Sequence, residues 1–123
     1  MKILIVGNGG REHALAQTIK RFNEDAKIFV APGNPGTGKI ATNIPYQVDQ
    51  IKELAAWAKE NEIDLTIPGP EATLVLGITD EFNKLGLRVF GPNKECARFE
   101  GSKKFTKEFL EKYDIPTAKY ESF

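Results

Sequence analysis

The chain of 123 residues carries 17 lysines and arginines against 17 aspartates and glutamates and is 41% hydrophobic, which suits one globular domain with a single core. With no net charge, no overall field draws it to nucleic acid or to a membrane surface, so small molecules are the expected partners. A lone cysteine, Cys96, excludes an internal disulfide, and the opening apolar run is too short for a signal peptide or membrane span; a cytoplasmic location is expected.

In chain order, Lys2 to Val6 is an apolar run that breaks into glycine, the pattern of a strand buried on both faces. Leu15, Ile19 and Phe22 then fall on one helical stripe, and Lys27 to Ala31 reads as a second buried strand. Ile44, Tyr46 and Val48 alternate with Pro45 and Gln47, which predicts a short edge strand. Asp49 is placed to cap a helix carrying Ile51, Leu54, Ala55 and Ala58, and Asp64 to Ile67 follows as a strand ending in Pro68-Gly69-Pro70. Leu74, Val75, Ile78, Phe82 and Leu85 predict one further helix stopped by Gly86, and Leu87 to Phe90 the last strand. A helical turn is expected from Asn93 to Phe99, and then a helix capped by Ser102 with Phe105 and Phe109 one turn apart. This alternation predicts an α/β fold, an open and mostly parallel Rossmann-like sheet with helices on both faces and right-handed crossovers. Residues 1–99 form the expected substrate-binding domain, and 100–123 a linker with the first piece of a further domain.

Ligands of such sheets sit beyond the carboxyl ends of the strands, which directs attention to three loops. In Gly7-Asn8-Gly9-Gly10-Arg11-Glu12-His13, glycines allow a sharp turn and close approach, helix amides point at an anion, and Arg11 adds positive charge. His13 is expected to be a structural hydrogen bonder. The stretch from Gly33 to Lys39 nearly matches a nucleotide phosphate loop. It fails because Ile40 stands where a magnesium-binding hydroxyl is needed and because no helical stripe follows. A rigid turn that aims Asn34 inward is expected instead. In Pro68-Gly69-Pro70-Glu71, a carboxylate at a helix start is placed to accept hydrogen bonds from a sugar diol or an amine, although such a residue also suits the helix dipole without any ligand. Together the loops describe a pocket for a phosphorylated sugar. Cys96 has no metal-ligand spacing and is expected in the core.

Two other classes compete. A nicotinamide-binding module would share the opening Gly7-x-Gly9, but Glu12 stands at the third glycine, and Val30-Ala31-Pro32 lacks the acidic residue that holds the cofactor's ribose. A nucleotide-binding or non-catalytic interaction module is the second alternative.

The blocks Gly7 to Leu15, Ala31 to Thr37, Gly69 to Ala72 with Leu74 to Gly77, and Phe90-Gly91-Pro92 with Glu100 to Lys103 and Phe105 to Lys107 resemble, in order and with matching gaps, the N-terminal part of the phosphoribosylamine–glycine ligase family. Members commonly carry a third glycine where this chain has Asn8. The resemblance implies an ATP-dependent carbon–nitrogen ligase of the ATP-grasp superfamily, which joins glycine to 5-phosphoribosylamine in purine synthesis through a glycyl phosphate. It implies ATP with Mg2+ or Mn2+ for the complete enzyme, none held by this chain alone, and the rest of the ligase chain as partner. It also implies Gly9, Gly10 and Arg11 near the substrate phosphate, Asn34 nearby, and Glu71 near ribose hydroxyls or the amine. Lys103 would approach the nucleotide phosphates, residues 100–123 would begin the ATP-grasp domain, and no catalytic or metal-binding residue is expected in this stretch.

Overall fold

A computed structural model describes residues 1–119. Four parallel strands, β1 (Lys2–Gly7), β2 (Lys27–Pro32), β3 (Thr42–Asn43) and β4 (Leu65–Pro68), lie in the order β3-β2-β1-β4. Between β1 and β2 runs helix α1 (Gly10–Phe22), and α2 (Ile51–Glu60) precedes β4. After β4 come α3 (Glu71–Leu76), α4 (Ile78–Lys84), α5 (Lys94–Gly101) and α6 (Lys103–Lys112).

The central strand explains its own composition. Side chains alternate across a strand, and in β1 both sets are apolar because both faces are covered. Leu4 and Val6 pack with Leu54, Ala55 and Ala58 of α2 and Ile78 and Phe82 of α4. Ile3 and Ile5 face the other way, onto Ala16, Ile28 and Val30, with Leu15 and Ile19 of α1 alongside. The expected parallel sheet with helices on both faces is therefore present.

Several local expectations are corrected. Phe22 does not complete the α1 stripe and is 80% exposed. The edge strand is only Thr42–Asn43, although Ile44, Tyr46 and Val48 still pack on the core as their alternation implies. Asp49 does not cap α2, whose N-cap is Gln50. The apolar stripe from Leu74 to Leu85 belongs to two helices, because Gly77 adopts a left-handed φ of 95° that ends α3 and starts α4. Gly86, with φ 72°, stops α4 as expected. Leu87 to Phe90 is reduced to one parallel bridge between Thr66 and Val89, leaving Phe90 exposed. At the far end Asn93 caps α5 by accepting the Cys96 N–H at 2.9 Å. Ser102 caps α6 by accepting the Phe105 N–H at 3.3 Å. Of the tail expected over 100–123, residues 120–123 lie outside the described residues.

Candidate functional site at the strand-order reversal

The chain builds outward from β1 through β2 to β3, then returns to lay β4 on the other side of β1. The loops leaving β1 and β4 diverge over that seam, which is the place where open parallel sheets bind ligands. Backbone bonds fix the loop bases, with Gly69 N–H donating to Val6 O at 2.7 Å and Gly33 N–H to Gly7 O at 3.2 Å.

The first loop turns at Gly7, whose φ of 143° lies where side chains are strained. Gly9 then caps α1, and Glu12, three residues on, folds back so that Oε2 accepts the Gly9 N–H at 2.6 Å. Glu12 is only 5% exposed. Glycines make the space it occupies: a Cβ on Gly7 would stand 2.5 Å from Glu12 Cγ, and one on Gly69 would stand 2.0 Å from Glu12 Oε1. One carboxylate thus sits on the seam between both loops.

Sequence reasoning missed this role, reading Glu12 only as the wrong residue for a third fingerprint glycine. The signal was the capping spacing Gly9-x-x-Glu12 beside a second glycine turn. It also gives the dinucleotide mismatch a physical cause. The amide that would meet a pyrophosphate is already bonded, and the room a third glycine would leave is filled. Gly10 and Arg11, at the start of α1, keep amides without intrahelical acceptors, so the expected anion-facing donors reduce to these two and the Arg11 guanidinium.

Across the seam, Arg11 Nη2 lies 3.8 Å from Glu71 Oε2, with the side chains 76% and 55% exposed. An ion pair this open adds little to stability. It does bring the two expected charged residues to one mouth, where a cation and a carboxylate can be offered to a single ligand.

Asn34 stands on the second loop and reaches the first. Its Nδ2 donates to Asn8 O at 2.9 Å and Gly9 O at 3.4 Å, while Oδ1 accepts the Gly36 and Thr37 N–H groups at 2.8 and 3.0 Å. Two donors and two lone pairs exhaust an amide, so Asn34 clamps the loops together. Buried Thr37 adds to this by accepting the Asn34 N–H at 2.8 Å, and Asn43 Nδ2 donates to Asn34 O at 2.9 Å. The expected rigid turn is present. Lys39 ends a single 3-10 turn and is exposed, and the chain passes directly to β3 rather than into an α-helix, as the failed phosphate-loop match requires.

His13 is not the hydrogen bonder expected. Among the described residues its ring makes no hydrogen bond and instead packs where a Cβ on Gly36 would come within 2.7 Å of Cε1. Cys96 is exposed rather than core, because it lies on the outward face of α5. Lys103 is exposed at the start of α6, and none of Gly9, Gly10, Arg11, Asn34 or Glu71 is among its partners.

Parallel α/β domains that carry glycine turns at a strand-order reversal commonly bind small molecules there, and this chain has that architecture. Residues 1–100 match the family model described as phosphoribosylglycinamide synthetase, N domain, and the chain belongs to that family. It is 47% identical over its whole length to phosphoribosylamine–glycine ligase of Caldanaerobacter subterraneus and 50% identical to that of Pasteurella multocida. It spans 30% and 29% of those proteins. A solved phosphoribosylamine–glycine ligase from Thermotoga maritima is similar at TM-score 0.70 and 35% identity, over 98% of this chain and 27% of that one. An N5-carboxyaminoimidazole synthase from Aspergillus clavatus shares the fold alone, at 20% identity and TM-score 0.71 over 96% of this chain and 31% of that one.

Proposed function

We propose that this chain is the substrate-holding N-terminal part of a phosphoribosylamine–glycine ligase, which joins glycine to 5-phosphoribosylamine in de novo purine synthesis, converting ATP to ADP and phosphate. Family membership supports the reaction. The observation that carries the site is the convergence of Arg11 and Glu71 over the β1/β4 seam. Such a reaction needs an activated glycyl phosphate, neutralisation of the transferring phosphoryl group, and an amine held in line for attack. The first two requirements fall to the rest of the ligase chain. Here the Gly9 amide is occupied, Thr37 is tied into its loop, and Ile40 offers no hydroxyl, so the glycine loops do not fit magnesium nucleotide. Family membership supports placing ATP with Mg2+ or Mn2+ on the rest of the ligase chain, and this chain alone is expected to be inactive.

The third requirement suits the residues described. The Gly10 and Arg11 amides and the Arg11 guanidinium face the substrate phosphate across the turn that Gly9 makes possible, and Glu71 accepts from ribose hydroxyls or the amine. Asn34 acts by holding the turn. Residues 100–123 begin the ATP-grasp domain, with Lys103 toward the nucleotide phosphates. An exposed free thiol at Cys96 suits the reducing cytoplasm. The test is Glu71→Ala in the complete ligase. KM for phosphoribosylamine should rise by more than KM for ATP; equal or unchanged values would sink the assignment.

A further inference from the structure

We propose that Glu12 is a second substrate-binding carboxylate, whose free oxygen accepts a hydrogen bond from an N–H or O–H donor at the sugar–amine end of the ligand. The idea rests on the reading of the site given above and adds a residue to it.

Glu12 is 5% exposed, and its carboxylate is held by a single bond, Oε2 to the Gly9 N–H at 2.6 Å. The other oxygen, Oε1, has no hydrogen-bond partner among the described residues. It is not sealed away, since Thr66 Oγ1 is the one side-chain polar atom among them that is both fully buried and unsatisfied. Oε1 is therefore not wholly enclosed. It lies over Gly69, where a Cβ would come within 2.0 Å, and Gly69 is two residues from Glu71.

A buried carboxylate normally has its acceptor capacity filled, because leaving it unfilled is costly. Here the three glycines at 7, 9 and 69 shape a slot around the group, and one of its oxygens has no partner among the described residues. The geometry gives each oxygen its own task. Oε2 fixes the carboxylate to the start of α1, and Oε1, the oxygen beside Gly69, is left without a partner among the described residues. A ligand with donors at one end and a phosphate at the other would place its donors on Glu12 and Glu71 and its phosphate toward Arg11.

Glu12→Gln in the complete ligase separates this role from a purely structural one. Glutamine has the same shape, and its carbonyl oxygen can still accept the Gly9 N–H, but it then presents an amide donor where Oε1 stood. KM for phosphoribosylamine should rise about tenfold or more, the loss expected of a hydrogen bond to a charged group. KM for ATP and for glycine should stay within about twofold, because the same change leaves their binding untouched. A folded Glu12→Gln enzyme with unchanged KM for phosphoribosylamine overturns the proposal.

Should that variant not fold, the wild-type enzyme gives the answer through carboxyl-carbon NMR with ribose 5-phosphate as the stable probe. The Glu12 and Glu71 signals should both move on saturation. Movement of Glu71 alone overturns the role of Glu12. If neither moves and Glu71→Ala is silent, the underlying reading of the site falls with it.

Discussion

Gly69→Ala puts the central packing argument to its hardest test, because it adds one methyl group and no backbone strain. Gly69 is not in the left-handed region, so alanine meets no conformational penalty there. Its Cβ would stand 2.0, 2.5 and 2.7 Å from Oε1, Cδ and Cγ of Glu12, contacts that no rotation of the methyl relieves. Either Glu12 swings out and gives up the Gly9 N–H, or the β4 loop retreats and stretches the 2.7 Å bond from Gly69 N–H to Val6 O. The first route loses a charge-assisted bond and the second a backbone bond, so the cost is about 2–3 kcal/mol. For a chain of this size that is a Tm lower by roughly 6–15 °C. Urea unfolding of the isolated chain, followed by fluorescence of Trp57, which packs edge-on against Phe29 at 5.2 Å, gives the number. In a Glu12→Ala background the same substitution should be close to neutral, so the double-mutant cycle should return a coupling of about 1.5 kcal/mol or more. Additive effects, or a Gly69→Ala chain as stable as the wild type, would refute the placement of Glu12 on the seam.

Gly77→Ala should cost about 1–2 kcal/mol in the same assay through its left-handed φ alone, since the nearest atom to an added Cβ is 3.4 Å away. Asn34→Ala should cost about 2–3 kcal/mol and speed amide exchange at Gly36 and Thr37, whose N–H groups lose their acceptor. Arg11 and Glu71, both largely exposed, should show a stability coupling below about 1 kcal/mol in a double-mutant cycle; a larger value would mean the pair is structural rather than kept for a ligand.

Much of the fold was legible because burial on both faces leaves a strong mark. β1 reads as an unbroken apolar run since Leu4 and Val6 face one helical layer while Ile3 and Ile5 face the other. The break at Gly77 was not legible from periodicity, because α3 and α4 continue the same stripe, and the only clue was the glycine itself. Phe22 and Cys96 misled because apolar character says nothing about which side of a terminal helical turn faces its packing partner, the sheet for α1 and the helices α3 and α6 for α5. Leu87 to Phe90 has the composition of a strand but reaches a partner only at Thr66. Within the candidate site, the charged residues and glycines could be named from loop position. That Asn34 would be saturated depends in half on Asn8 and Gly9 of the loop after β1, and that Glu12 would occupy space vacated by glycines depends on the loops after β1 and β4 meeting, neither of which a local window contains.

The central claim is that the loops over the β1/β4 seam hold the sugar phosphate, and an amide-resolved NMR titration of this chain with ribose 5-phosphate tests it most directly. Saturable shifts should gather at Gly9, Gly10, Arg11, Gly69 and Glu71, with α6 unaffected. Shifts that are absent from these amides, or that gather at the opposite ends of the strands around Lys2 and Lys27, would contradict it.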